Sequence, residues 1–309
     1  MRRAGVVAAV IVVLAAIGLG VFQWLKNQDG PSVVEPGEPG TSTEARQEPD
    51  WCPAVEFVSI PGTWESSIDD DPFAPQANPN SFMLSITNPL QERYSIDRVR
   101  VFTVPYTAQF RNIQTPQGRN EMSYDESRAE GTARANGEIA FVAEQCPSTK
   151  FIVAGFSQGA VIAGDITNQI GAGTHALPPE RLLGSLMIAD GRRENGVGVN
   201  PGVELSGVGA EIALRPLQMV VSAATPGATM TGARQGGFGQ VADRAYEICA
   251  PNDSICDAPQ DIGNAVDRAS ALLLANGNHA MYATNPDVIP GTTTPQWAVD
   301  WAMSVIDSF

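Results

Sequence analysis

Residues 150–164 read KFIVAGFSQGAVIAG: an apolar run meets Gly155-Phe156-Ser157-Gln158-Gly159, and beyond it Val161, Ile162, Ile166 and Ile170 recur on one helical side. A strand that turns into a helix at G-x-S-x-G needs small residues on both sides of the serine, because the helix start folds back over the strand end. The serine hydroxyl is thereby lifted above the sheet. This one segment constrains the whole chain: the strand must end at the carboxyl edge of a sheet, and the helix must cover one of its faces.

The rest of the chain supplies such a sheet. Short apolar runs at 55–60, closed by Pro61-Gly62, and 99–104, stopped by Pro105, predict strands, as do 151–154, 183–189 and 219–223. Helices are expected over 124–145, 158–170 and 269–275. A last one opens at Thr294-Pro295, with Thr294 as cap, and carries Trp297, Trp301 and Val305. Alternation of this kind predicts an α/β fold of three layers, with a central, mostly parallel sheet. At 43% hydrophobic and 17% charged residues the chain as a whole is not disordered. Its formal charge of -15 excludes phosphate-gripping nucleic-acid binders.

The two ends of the chain differ in kind. Arg2 and Arg3 precede an unbroken apolar run over 4–22, extended by Trp24, Leu25 and Lys26. It is long enough to cross a hydrocarbon core of about 30 Å. An uncleaved anchor is preferred over a cleaved signal peptide because the run exceeds the usual signal core and ends in interfacial residues. Either way the remainder is exported, so a place in the cell envelope outside the cytoplasm is expected. Residues 27–50 hold four prolines and six acids against Arg46, and predict an extended tether. The expected domains are therefore 1–26 anchor or signal, 27–50 linker and 51–309 folded domain.

In an oxidising compartment four cysteines predict two disulfides, with a zinc site as the weaker alternative. Cys249 and Cys256 bracket a short loop, which leaves Cys52 for Cys146. That second bridge closes a loop of about a hundred residues and stabilises by at most about 4.7 kcal/mol in the chain-entropy view.

Ser157 needs a base, and the base needs an orienting acid. Of the two histidines, His279 follows every candidate acid, in the order serine, acid, histidine; His175 precedes them and reads as an exposed loop residue. The acids between are Asp190, Asp243, Asp253, Asp257, Asp261 and Asp267. Asp253 is favoured because a Cys249–Cys256 bridge would hold its loop rigid, with Asp190 the alternative at the end of a strand.

Together, Gly155-Phe156-Ser157-Gln158-Gly159, Cys249-x3-Asp253-x2-Cys256, His279-x2-Tyr282 and the spacing of Cys146 before Ser157 resemble the cutinase family of α/β hydrolases. Pro61-Gly62-Thr63-Trp64-Glu65, Val104 to Phe110, Ala189-Asp190-Gly191-Arg192-Arg193 and the N-terminal run are similar to its membrane-anchored members in mycolic-acid-containing actinobacteria. The resemblance implies a triad of Ser157, Asp253 and His279, and disulfides Cys52–Cys146 and Cys249–Cys256. It also implies an oxyanion hole from the backbone N–H of Gln158 and from Thr63. The implied activity is hydrolysis of lipid acyl esters or thioesters, of the phospholipase A or thioesterase kind. The expected partners are the substrate and, through the N-terminal helix, the membrane, with no metal or organic cofactor. An acyltransferase would use the same triad, and a non-catalytic envelope scaffold would keep the fold alone. The long, glycine-rich stretch 191–246 is expected to add a loop layer beside the site.

Overall fold

The strand-forming runs pair in parallel. β1 (Val55–Ile60), β2 (Val99–Thr103), β3 (Lys150–Phe156), β4 (Leu182–Ile188) and β5 (Ala245–Ile248) lie in the order β2-β1-β3-β4-β5. The computed structural model describes residues 48–112, 115–260 and 277–309. The expected anchor, the tether up to residue 47 and the helix expected at 269–275 lie outside the described residues, among which no helix is long and apolar enough to cross a membrane. The compact unit starts at Glu48, whose carboxylate accepts from the Ser148 N–H at 2.5 Å.

β3 is apolar almost throughout because it is central, with both faces covered. On one face α1 (Leu84–Arg93) and α6 (Thr294–Asp307) place Met83, Ile86, Leu90, Ala298 and Ile306 against Phe57, Val101, Ile152 and Ile188. On the other, α2 (Tyr124–Gln145) and α3 (Gln158–Gly171) place Ile139, Val142, Ile162 and Ile166 against Val58, Phe102 and Val153. Successive strand residues point to opposite faces, which is why Phe57 and Val58 enter different cores. α2 starts at a capping box: Ser123 Oγ accepts from the Glu126 N–H, and the Glu126 carboxylate accepts from the Ser123 N–H at 3.0 Å. α6 is capped by Thr293, one residue earlier than expected, its side chain accepting from the Gln296 N–H at 3.3 Å.

One strand expectation is corrected, and one strand lies where none was expected. Residues 219–223 are helical, inside α5 (Gln218–Ala224), because Leu214, Leu217 and Val221 pack into a small apolar cluster at helical spacing while Met219 stays 88% exposed. The fifth strand is instead Ala245–Ile248. It gives no strand pattern in the residues because it is short and carries Glu247, which is buried and whose carboxyl is pushed above its ordinary range by burial and the nearby Asp190. Both expected disulfides are present, Cys52–Cys146 and Cys249–Cys256. His175 is half-buried rather than exposed: its Nδ1 accepts from the Leu177 N–H at 2.9 Å, and Nε2 lies 3.1 Å from Asn136 Oδ1.

Candidate active site

The strand order reverses between β1 and β3, so their carboxyl ends diverge into connections on opposite sides and leave a crevice between them. Ile60 pairs with Gly155 at that edge, which brings the turn after β1 beside the turn after β3. Ser157 sits at the second turn with φ 55° and ψ -118°, a backbone conformation that costs a non-glycine residue on the order of 1–3 kcal/mol. Its neighbours enforce it. The Ser157 N–H donates to the Ile188 carbonyl at 2.9 Å, and both flanking glycines are sterically required. A Cβ on Gly155 would lie 2.2 Å from the Gly159 carbonyl oxygen, and one on Gly159 would lie 2.0 Å from the Ile60 carbonyl oxygen.

His279 Nε2 lies 2.8 Å from Ser157 Oγ, and His279 Nδ1 lies 2.9 Å from Asp253 Oδ2. With Nδ1–H directed at the carboxylate, Nε2 presents its lone pair to the serine hydroxyl. Asp253 is fully buried in the loop that the Cys249–Cys256 bridge closes. Its Oδ1 accepts from the Ile255 N–H at 2.9 Å, and Oδ2 accepts also from the Tyr282 hydroxyl at 2.8 Å. The Phe156 ring stacks on the imidazole, with centroids 5.3 Å apart, and fixes its plane.

Thr63 and Gln158 face one another across the crevice. Gln158 turns its side chain inward: Oε1 lies within 3.4 Å of the hydroxyls of Thr63, Tyr106 and Ser127. Its backbone N–H begins α3 and has no carbonyl partner within the helix, leaving it for a ligand. The turn that carries Thr63 is held by Glu65, whose carboxylate accepts from the N–H groups of Gly62 and Phe82 and from Ser81 Oγ. Burial pushes the Glu65 carboxyl above its ordinary range.

From Ser157 a pocket of about 380 Å³ opens, walled by Phe110, Val161, Leu214, Val221, Met230 and Ile255. Three of these belong to the stretch 191–246, which therefore builds a side of the pocket; α4 (Ala210–Ala213) and α5 lie within it. It is fastened by charge: Arg234 bonds Asp190 and Asp165, and Arg128 bonds Asp165 and Glu211. Glu211 also accepts from the Tyr124 hydroxyl at 2.7 Å. Asp190, the alternative acid, thus belongs to this network and not to His279. Asp243 pairs with Arg244, Asp257 accepts from the N–H groups of Gly207 and Asn252, and Asp261 and Asp267 lie outside the described residues. Tyr282 was legible only as part of a motif. Glu65 and Phe156 were likewise legible only within motifs and Arg234 carried no sequence signal, whereas the i, i+3, i+7 spacing of Leu214, Leu217 and Val221 could have revealed the pocket wall.

Fold and site together define a serine hydrolase of the α/β-hydrolase class. The cutinase family model matches residues 76–267. A carboxylesterase Culp6 homologue of Corynebacterium glutamicum is 58% identical over 311 residues, covering 100% of each chain. The chain belongs to the cutinase family and is an ester hydrolase. A solved acetyl xylan esterase, in an iodinated complex, shares the fold with a TM-score of 0.50 at 15% identity, over 82% of this chain and 99% of that one.

Proposed function

We propose that the chain is a carboxylesterase of the cell envelope that cleaves acyl ester or thioester bonds of lipids through an acyl-enzyme on Ser157. As the Ser157 oxygen attacks the acyl carbonyl, His279 Nε2 takes its proton and Asp253 stabilises the imidazolium. The developing oxyanion is received by the Gln158 N–H and by Thr63. Collapse expels the alcohol or thiol, which leaves with the proton from His279. Water then enters and gives a proton to the same nitrogen as its oxygen attacks the acyl carbonyl; the second intermediate collapses, the acid leaves, and His279 returns that proton to the Ser157 oxygen. The residues of the chain carry every step without a metal or an organic cofactor.

The observation that supports this reading best is the relay of 2.8 and 2.9 Å contacts opening into a mostly apolar pocket. A pocket so walled favours an aliphatic acyl chain. The apolar run at 4–22 supports the place: as an uncleaved anchor it would hold the domain beside lipid, outside the cytoplasm. A fluorophosphonate probe tests the chemistry. One adduct is expected, on Ser157, and none in Ser157→Ala, which keeps its melting temperature and loses hydrolysis of medium-chain p-nitrophenyl esters. Failure to label the folded protein would favour a non-catalytic scaffold, and labelling of Ser157→Ala would move the nucleophile elsewhere.

A further inference from the structure

Asp253 Oδ2 receives two hydrogen bonds: the imidazole N–H of His279 at 2.9 Å and the hydroxyl of Tyr282 at 2.8 Å. The direction of the second is fixed by its surroundings. The Ala250 N–H, which can only donate, points at the Tyr282 oxygen from 2.8 Å, so the phenolic hydrogen is left for the carboxylate. The ring is 1% exposed and set edge-on between Phe156 and Phe82, at 5.6 and 6.2 Å between centroids. The Cys256 sulfur, 3.2 Å from the hydroxyl, is bound in the disulfide and has no proton to give. Burial and the charge of Asp253 push the phenol well above its ordinary value, which keeps the donor in place through the neutral range.

We propose that Tyr282 is a positioning residue for ester hydrolysis that acts through Asp253, fixing where the carboxylate sits and how much of its charge His279 feels; this rests on the triad reading above. A hydrogen bond to a carboxylate withdraws part of its charge. With the hydroxyl present, Asp253 supports the imidazolium less strongly; without it, the same carboxylate presents more of its charge to the ring. Among the described residues, charged groups that face this pair include Glu65 from the turn after β1 and Arg193 from the stretch after β4, whose Nε donates to the Cys256 carbonyl at 2.8 Å. None of them changes when only the hydroxyl is removed.

The test is Tyr282→Phe in the full chain, which keeps the ring. For p-nitrophenyl ester hydrolysis from about pH 5 to 9, the acid limb of kcat/KM is expected to move upward by about half a pH unit or more. kcat at its optimum should fall about 10-fold, the effect of one hydrogen bond to a charged group, with KM unchanged. Rates of fluorophosphonate labelling across the same pH range give the same midpoint from competent sites alone, however much of the variant folds. An acid limb that stays in place in both measurements overturns the proposal and leaves Tyr282 a packing residue. Ser157→Ala is run alongside. If it retained activity, the triad reading itself would fall; if it is inactive while the limb of Tyr282→Phe is fixed, only the role of Tyr282 is lost.

Discussion

Asp190 and Asp253 are both fully buried carboxylates beyond the carboxyl ends of neighbouring strands, and their partners separate their roles. Arg234 neutralises Asp190 with a permanent charge, while Asp253 is met by an amide, a phenol and the imidazole. Only the second arrangement leaves a carboxylate free to support an imidazolium that comes and goes. Asp253→Asn should therefore lower kcat by on the order of 10⁴ with melting little changed, since the amide would favour the wrong tautomer. Asp190→Asn should barely change kcat per folded molecule but destabilise by roughly 3–5 kcal/mol, because it breaks a buried ion pair. Burst titration of active sites together with urea unfolding separates the two, and reversed effects would exchange the assignments.

At the scale of elements, β1 and β2 are tied across their register by Glu56 and Arg100, directly opposite one another, with Arg100 also bonding Glu138. Burial outweighs the guanidinium and pushes Glu56 up to about 7. A carboxyl raised in the folded state binds its proton more tightly there than when unfolded. Its contribution is thus fully present below the unfolded value, near 4.5, and is lost as pH rises to about 7. The loss is on the order of 3 kcal/mol. Glu56→Gln escapes it, so its stability relative to the parent should rise between pH 4.5 and 7, and a constant difference in urea midpoints would contradict this. The acid loop gives a second prediction. Cys249→Ser with Cys256→Ser should lose most activity before global stability falls far, because this bridge closes a short loop and the Cys52–Cys146 bridge a long one. Equal losses in activity and melting temperature would make the bridge purely structural.

For the whole molecule, strand order places the site: the turns carrying Thr63 and Ser157 meet where the sheet reverses direction, and β5 delivers Asp253 from the other side. The unit Glu48–Phe309 contains all of these groups. The chain lacking residues 1–47 is expected to fold and keep its kcat on p-nitrophenyl esters, while the full chain fractionates with membranes and resists salt extraction. Recovery of a shortened, soluble form with its N-terminus near Leu19 or Val21 would establish cleavage instead. Activity confined to short, water-soluble esters would remove the lipid assignment.

The elbow, four of the five strands and the short Cys249–Cys256 loop that leaves Cys52 for Cys146 were legible in the residues alone, because they follow from local sterics, hydrophobic period and closeness along the chain. The sequence favoured Asp253 over Asp190 only through the neighbouring cysteines. Tertiary structure decided what each carboxylate faces, since a guanidinium 44 residues away and a phenol 29 residues away leave no local pattern at either aspartate. The same holds for 219–223, where Met219-Val220-Val221 suits a strand by composition, whereas burial of Val221 in the apolar cluster that also holds Leu214 and Tyr124 goes with a helix.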